Sequence, residues 1–124
     1  MSFTIAKRFS FSASHTLDAL AGDHPCRRLH GHNYEVEIIS RADDVDERGF
    51  VHDYLDFAPF KDWLAAEVDH RHLNDVMPGP TSAERLAWWF FEWCKANLPD
   101  DVAVRLMAVR VSETPATWAE YRPD

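Results

Sequence analysis

The stretch Phe3-Thr-Ile-Ala-Lys-Arg-Phe-Ser-Phe-Ser-Ala-Ser-His15 decides how the rest of the chain is read. Phe3, Ile5, Phe9, Phe11 and Ala13 share one phase, while Ser2, Thr4, Arg8, Ser10 and Ser12 share the other. Ala6 and Lys7 are the exceptions. A period of two predicts a strand with one buried face, because successive side chains point to opposite sides. A second alternating set, His30, His32, Tyr34, Val36 and Ile38, has Glu35 and Glu37 opposite and predicts a partner strand. Residues 18–28, with Gly22 and Pro25, read as the polar loop between them, and residues 43–49 as an acidic turn after the second.

Two helices are expected next. Phe57, Phe60, Leu64 and Val68 have helical spacing, with Asp56 as N-cap and Pro59 inside the first turn. After the Met77-Pro78-Gly79-Pro80 break, Leu86, Trp89, Phe90, Trp93 and Cys94 form a wide apolar stripe. Thr81-Ser82-Ala83-Glu84 ahead of them has the spacing of a capping box. Residues 102–112 are rich in valine, and residues 116–122 read as a short partner strand. The order ββααββ predicts an α+β domain spanning residues 1–124, an antiparallel sheet with both helices on one face.

Bulk properties agree. The 124 residues are 46% hydrophobic and 27% charged with four glycines, a globular profile with enough chain for a real core. A net charge of −8 argues against a general nucleic-acid binder, since phosphate backbones reward a basic surface. A small anionic ligand needs only a local cluster, and Lys7, Arg8, Arg27 and Arg28 read equally as such a cluster or as ordinary solvated charges. No apolar run approaches a membrane span, and the first residues lack the apolar segment of a signal peptide. With Cys26 and Cys94 far apart, the expected setting is a reducing cytoplasm with both thiols free.

Phase turns the outline into chemistry. His15 continues the inward series of the first strand, and His30 and His32 head that of the second, so three imidazoles converge if the strands pair. Three neutral imidazoles and an open fourth position describe a catalytic zinc site rather than a closed structural one. Gly31 removes crowding on the opposite face. His24 and His52 carry no such argument and read as surface residues. Cys26, four residues before His30 and beside Arg27 and Arg28, is a candidate zinc ligand, nucleophile or general base, or an incidental loop cysteine. Cys94 reads as a core residue. Asp69-His70 at the end of the first helix is a candidate acid–base pair, with His72 an equal alternative. Glu113 follows Met107, Val109 and Val111 in phase. It is either a carboxylate turned to solvent or an anchor for the N–H edge of an aminopyrimidinone ring.

Together these residues resemble the 6-pyruvoyltetrahydropterin synthase superfamily, most closely its 6-carboxytetrahydropterin synthase branch. The resemblance rests on Phe9-Ser-Phe-Ser-Ala-Ser-His15, Cys26-Arg-Arg-Leu-His30-Gly-His32, Gly49-Phe-Val-His-Asp53 and Val68-Asp69-His70. Leu73-Asn74-Asp75, Pro80-Thr81 and Val111-Ser-Glu113-Thr114 extend it along nearly the whole chain. It implies the T-fold, in which ββααββ subunits close into a barrel, typically a homohexamer of two stacked trimers with active sites between subunits. It also implies Zn2+ on His15, His30 and His32, and 7,8-dihydroneopterin triphosphate as substrate. Cys26, Asp69 and His70 then match the catalytic groups. Glu113 and Thr114 match the pterin site, together with Thr81 or Ser82.

The Cys-x-x-x-His-Gly-His spacing resembles the carboxy-forming enzymes of the queuosine pathway. The implied products are 6-carboxy-5,6,7,8-tetrahydropterin, acetaldehyde and triphosphate. The alternatives are a 6-pyruvoyltetrahydropterin synthase, which only eliminates triphosphate, and a non-catalytic pterin-binding T-fold protein. Two departures stand out: one residue more after Pro80-Thr81 than the usual Pro-Thr-x-Glu pattern, and Pro115 and Trp118 where smaller residues are common.

Overall fold

In the computed structural model, which describes residues 1–124, the two alternating stretches become the longest strands of the molecule. β1 (Phe3–His15) and β2 (His30–Ala42) pair antiparallel along their whole length. Phe3 lies opposite Ala42 and His15 opposite His30. The register leaves no choice of face: Phe9, Phe11, Ala13 and His15 are buried from β1, and Tyr34, Val36 and Ile38 from β2. A one-residue slip would move all of them to solvent.

The buried face is covered by helices α1 (Ala58–Glu67) and α3 (Ala83–Asn97). Phe60 of α1 meets Phe9 edge-on at 5.5 Å, Phe90 of α3 meets Phe11 at 5.6 Å, and the two helical rings meet each other at 5.5 Å. Phe11 stacks on Tyr34 at 4.7 Å, so the aromatic layer runs up the hairpin to the residue just below His32. Leu86 is fully buried at the centre of the α3 stripe. Leu86→Ala removes its methyl groups and leaves a cavity. We expect a loss of about 2–5 kcal/mol of stability, read as a lower urea midpoint with unchanged slope.

The remaining strands, β4 (Leu106–Ser112) and β5 (Ala119–Tyr121), extend the sheet antiparallel from β2. The other edge carries an addition to the expected ββααββ order. β3 (Arg71–His72) pairs parallel with Ala13 and Ser14 of β1, giving the order β3-β1-β2-β4-β5. The α1 region supplies the crossover that a parallel neighbour requires. A two-residue strand has no period to read, so only the structure shows it. The short helix α2 (Leu73–Val76) follows directly.

Three local expectations are corrected. Asp56 does not cap α1: Asp53 caps the preceding 3-10 turn (Tyr54–Phe57) by accepting the Leu55 N–H, and α1 begins after it with Pro59 in its first turn. Ser82, not Thr81, caps α3, accepting the Arg85 N–H at 3.2 Å. The valine-rich stretch starts as a short helix, α4 (Asp100–Ala103), and becomes strand only at Leu106. Pro99 ahead of two aspartates favours that helical turn. No helix is long and apolar enough to cross a membrane, and both cysteines are free.

Candidate metal centre

His15 ends β1 and His30 begins β2, so the pairing of these two residues places the imidazoles at the loop end of the hairpin. His32, opposite Ala13, lies one inward position further along β2. Ring centroids are separated by 4.4 Å for His15–His30, 4.9 Å for His30–His32 and 5.2 Å for His15–His32. One nitrogen from each ring lies within 4.8 Å of the others.

The outer nitrogens are already committed. His15 Nδ1–H donates to the Thr81 carbonyl at 2.9 Å, with the Thr81 hydroxyl at 3.2 Å. His30 Nδ1–H donates to the Arg28 carbonyl at 2.6 Å. A carbonyl only accepts, so both rings hold their proton on Nδ1 and present a bare Nε2 lone pair. Those two Nε2 atoms face each other at 2.9 Å. Lone pairs at that separation repel unless a cation lies between them. His32 Nε2 is buried and has no hydrogen-bond partner. Burial, before any other influence, also holds His15 below the ordinary histidine pKa and so in its neutral, ligating form. Two pre-set tautomers and one orphaned nitrogen fit a divalent ion on imidazole ligands.

Around this cluster the predicted residues fall into distinct places. Glu113 follows β4 with Oε2 3.4 Å from His32 Nε2, so the group across from this carboxylate, unseen in the sequence, is a candidate ligand itself. Tyr34 lies beneath, its hydroxyl buried and unpartnered; burial first and Glu113 second push its pKa up, so it stays a phenol.

Thr81 is fully buried, its carbonyl and hydroxyl both at His15 and the hydroxyl also donating to Thr16 O at 3.3 Å. In this arrangement its polar groups support an imidazole. Ser82 is occupied as the α3 cap. Thr114 is exposed, its hydroxyl 3.2 Å from that of Thr117 within a turn.

Cys26 sits half-buried in a 3-10 turn (Pro25–Arg27), and its sulfur is not part of the ligand cluster. Its carbonyl accepts the Leu17 N–H at 3.1 Å, which ties the loop to the end of β1. Asp69 and His70 follow α1. Asp69 Oδ1 accepts the Ser12 N–H at 2.8 Å and lies 3.0 Å from His70 Nδ1. The Ser12 amide is the main reason the Asp69 carboxyl is held below the usual carboxylate range. His70 adopts φ of 62°, a left-handed backbone uncommon outside glycine, and its N–H donates to Ser12 O at 2.6 Å. Its side chain is 80% exposed. Both His70 and His32 line one groove of about 440 Å³.

Two expectations do not survive. His52 is buried, not on the surface: Nε2 pairs with Ser40 Oγ at 2.8 Å, Nδ1 donates to Asp53 O at 2.9 Å, and the ring packs on Phe57. His24 is exposed, as expected, and accepts the Cys26 N–H. The proposed basic cluster also disperses, because Arg8 pairs with Glu35 and Glu37 on the outer sheet face and Arg27 donates to Gly22 O.

A family model described as 6-pyruvoyl tetrahydropterin synthase matches residues 4–124. A 6-carboxy-5,6,7,8-tetrahydropterin synthase from Synechocystis is 35% identical over 124 aligned positions, covering 94% of this chain and 91% of that protein. A dihydroneopterin monophosphate aldolase from Pyrococcus furiosus is 32% identical over 109 positions, covering 88% and 90%. Among solved structures, the 6-pyruvoyl tetrahydropterin synthase of Caenorhabditis elegans superposes with a TM-score of 0.86 at 26% identity. That match covers 100% of this chain and 97% of the other.

Proposed function

The chain belongs to the 6-pyruvoyl tetrahydropterin synthase family, a group of T-fold proteins, and on that premise we propose that it is a zinc-dependent 6-carboxy-5,6,7,8-tetrahydropterin synthase. It would convert 7,8-dihydroneopterin triphosphate into 6-carboxy-5,6,7,8-tetrahydropterin, releasing acetaldehyde and triphosphate. The observation that carries the reading is the pair of Nε2 lone pairs fixed at 2.9 Å beside the orphaned His32 Nε2.

When bound on His15, His30 and His32, zinc supplies Lewis-acid polarisation of a side-chain hydroxyl, which acidifies the neighbouring C–H bonds. The protein's own groups do the rest. Thr81 and the Arg28 carbonyl fix the imidazole tautomers and ring planes. Cys26, on the loop leading into β2, takes a proton from the side chain as thiolate and returns it as thiol. Asp69 holds the proton of His70 on Nδ1, leaving Nε2 as the base of a second proton transfer. Glu113 offers carboxylate oxygens to the N–H edge of the pterin, with Thr114 beside it. The same reading makes the protein a cytoplasmic homohexamer, with the pathway to queuosine as its setting.

The aldolase relative supports a second reading, a retro-aldol cleavage of a dihydroneopterin monophosphate. Product analysis separates the readings. We expect purified protein to turn the triphosphate into the 6-carboxy product with one acetaldehyde per pterin. A pyruvoyl product without acetaldehyde, or turnover of the monophosphate alone, overturns the proposal.

A further inference from the structure

The five tryptophans of the chain divide by what lies over the ring. The Arg85 guanidinium sits 4.6 Å from the centre of Trp88, and that of Arg110 sits 4.1 Å from the centre of Trp118. Those two indoles therefore carry a cation supplied by the chain itself. The other three, Trp63 of α1 and Trp89 and Trp93 of α3, form one half-buried cluster at the seam between the helices, and no arginine or lysine lies over any of them. Trp93 stacks on Trp63 at 4.7 Å with the planes 18° apart, which fixes the Trp63 ring. Trp89 meets Trp63 at 5.1 Å with the planes 70° apart, so these two indoles make a corner.

The corner opens on a hollow of about 420 Å³ lined by Trp63, Trp89, Glu67 and Val76. Four residues separate Trp63 from Glu67, so the carboxylate stands beside the indole on the same face of α1. Glu67 is exposed and enters no hydrogen bond or ion pair. The face of an indole is the negative side of its quadrupole and attracts cations. Two indoles and a free carboxylate therefore converge on one space with the same electrostatic preference. A primary ammonium brings three N–H donors and would find a single carboxylate to receive them. A quaternary ammonium has no N–H to satisfy, and its charge-bearing methyl groups can pack directly on the rings and on Val76.

We propose that the Trp63–Trp89 corner is a binding site for a small quaternary ammonium ion, a choline-like solute, with Glu67 balancing its charge. The site does for a free cation what Arg85 and Arg110 do for Trp88 and Trp118. It shares no lining residue with the three-imidazole centre, so it stands apart from whichever reaction that centre performs.

Choline, titrated into fluorotryptophan-labelled protein at constant ionic strength and followed by fluorine NMR, tests the site. We expect saturable shifts of the Trp63 and Trp89 resonances, with Trp88 and Trp118 unmoved. The neutral isostere of choline, with a quaternary carbon in place of the nitrogen, should bind at least about fivefold more weakly. Trp89→Leu, which keeps an apolar side chain but removes one π-face, should weaken choline by about fivefold. Glu67→Gln, at an exposed position where the fold is not at risk, should weaken it by about threefold. Equal affinity for choline and its isostere makes the hollow merely apolar and overturns the proposal. So do shifts confined to Trp88 and Trp118, an absence of saturable shifts, or choline binding that Glu67→Gln leaves unchanged.

Discussion

His30→Ala and His32→Ala should each empty the metal centre, taking zinc from roughly one equivalent per chain to near none and abolishing turnover. The expectation follows from ligand count. Each substitution leaves two imidazoles: His32→Ala takes the third partner from the His15 and His30 Nε2 lone pairs at 2.9 Å, and His30→Ala removes one of that pair. Both residues are part-exposed and stand at the loop end of the hairpin, above rather than within the Phe11–Tyr34 stack, so the fold should survive. Metal analysis after gentle purification, with circular dichroism to confirm folding, reads the result. A wild-type protein that is metal-free and rebinds no zinc removes the central claim, as does a folded His30→Ala protein that keeps its full equivalent.

The second large effect is expected at Cys26. Cys26→Ala should retain zinc and fold yet lose about two to four orders of magnitude in kcat, the usual contribution of a positioned proton-transfer group. The structure sharpens this expectation. The sulfur lies outside the ligand cluster, so its loss should not release metal, which separates the base from the ligand reading. The turn that carries it is held by the backbone bond from Leu17 N–H to Cys26 O, which alanine preserves. Zinc lost together with activity would return Cys26 to the ligands, and retained activity would make it an incidental loop residue.

What could be read in the sequence was whatever repeats or alternates. The phase of Phe9, Phe11, Ala13 and His15 against His30, His32 and Tyr34 predicted both the hairpin and the three-imidazole cluster, because a period of two maps directly onto side-chain direction. What escaped were contacts between segments with no period. Thr81 looked like a helix cap because capping and ligand support use the same residue types, and only its burial beneath His15 tells them apart. His52 was read as surface because its partner Ser40 lies across a loop. Glu113 seemed to lack a cation because its neighbour is a histidine from another strand. β3 was invisible at two residues.

The left-handed backbone at His70 sets stability against activity at one position. A β-carbon there is disfavoured by roughly 1–2 kcal/mol relative to glycine, while the candidate chemistry needs the imidazole. A library screened only for heat resistance would therefore drift toward glycine or asparagine at 70 and return hardier, inactive proteins. Any campaign to stabilise this scaffold should hold that position fixed and seek its gains elsewhere.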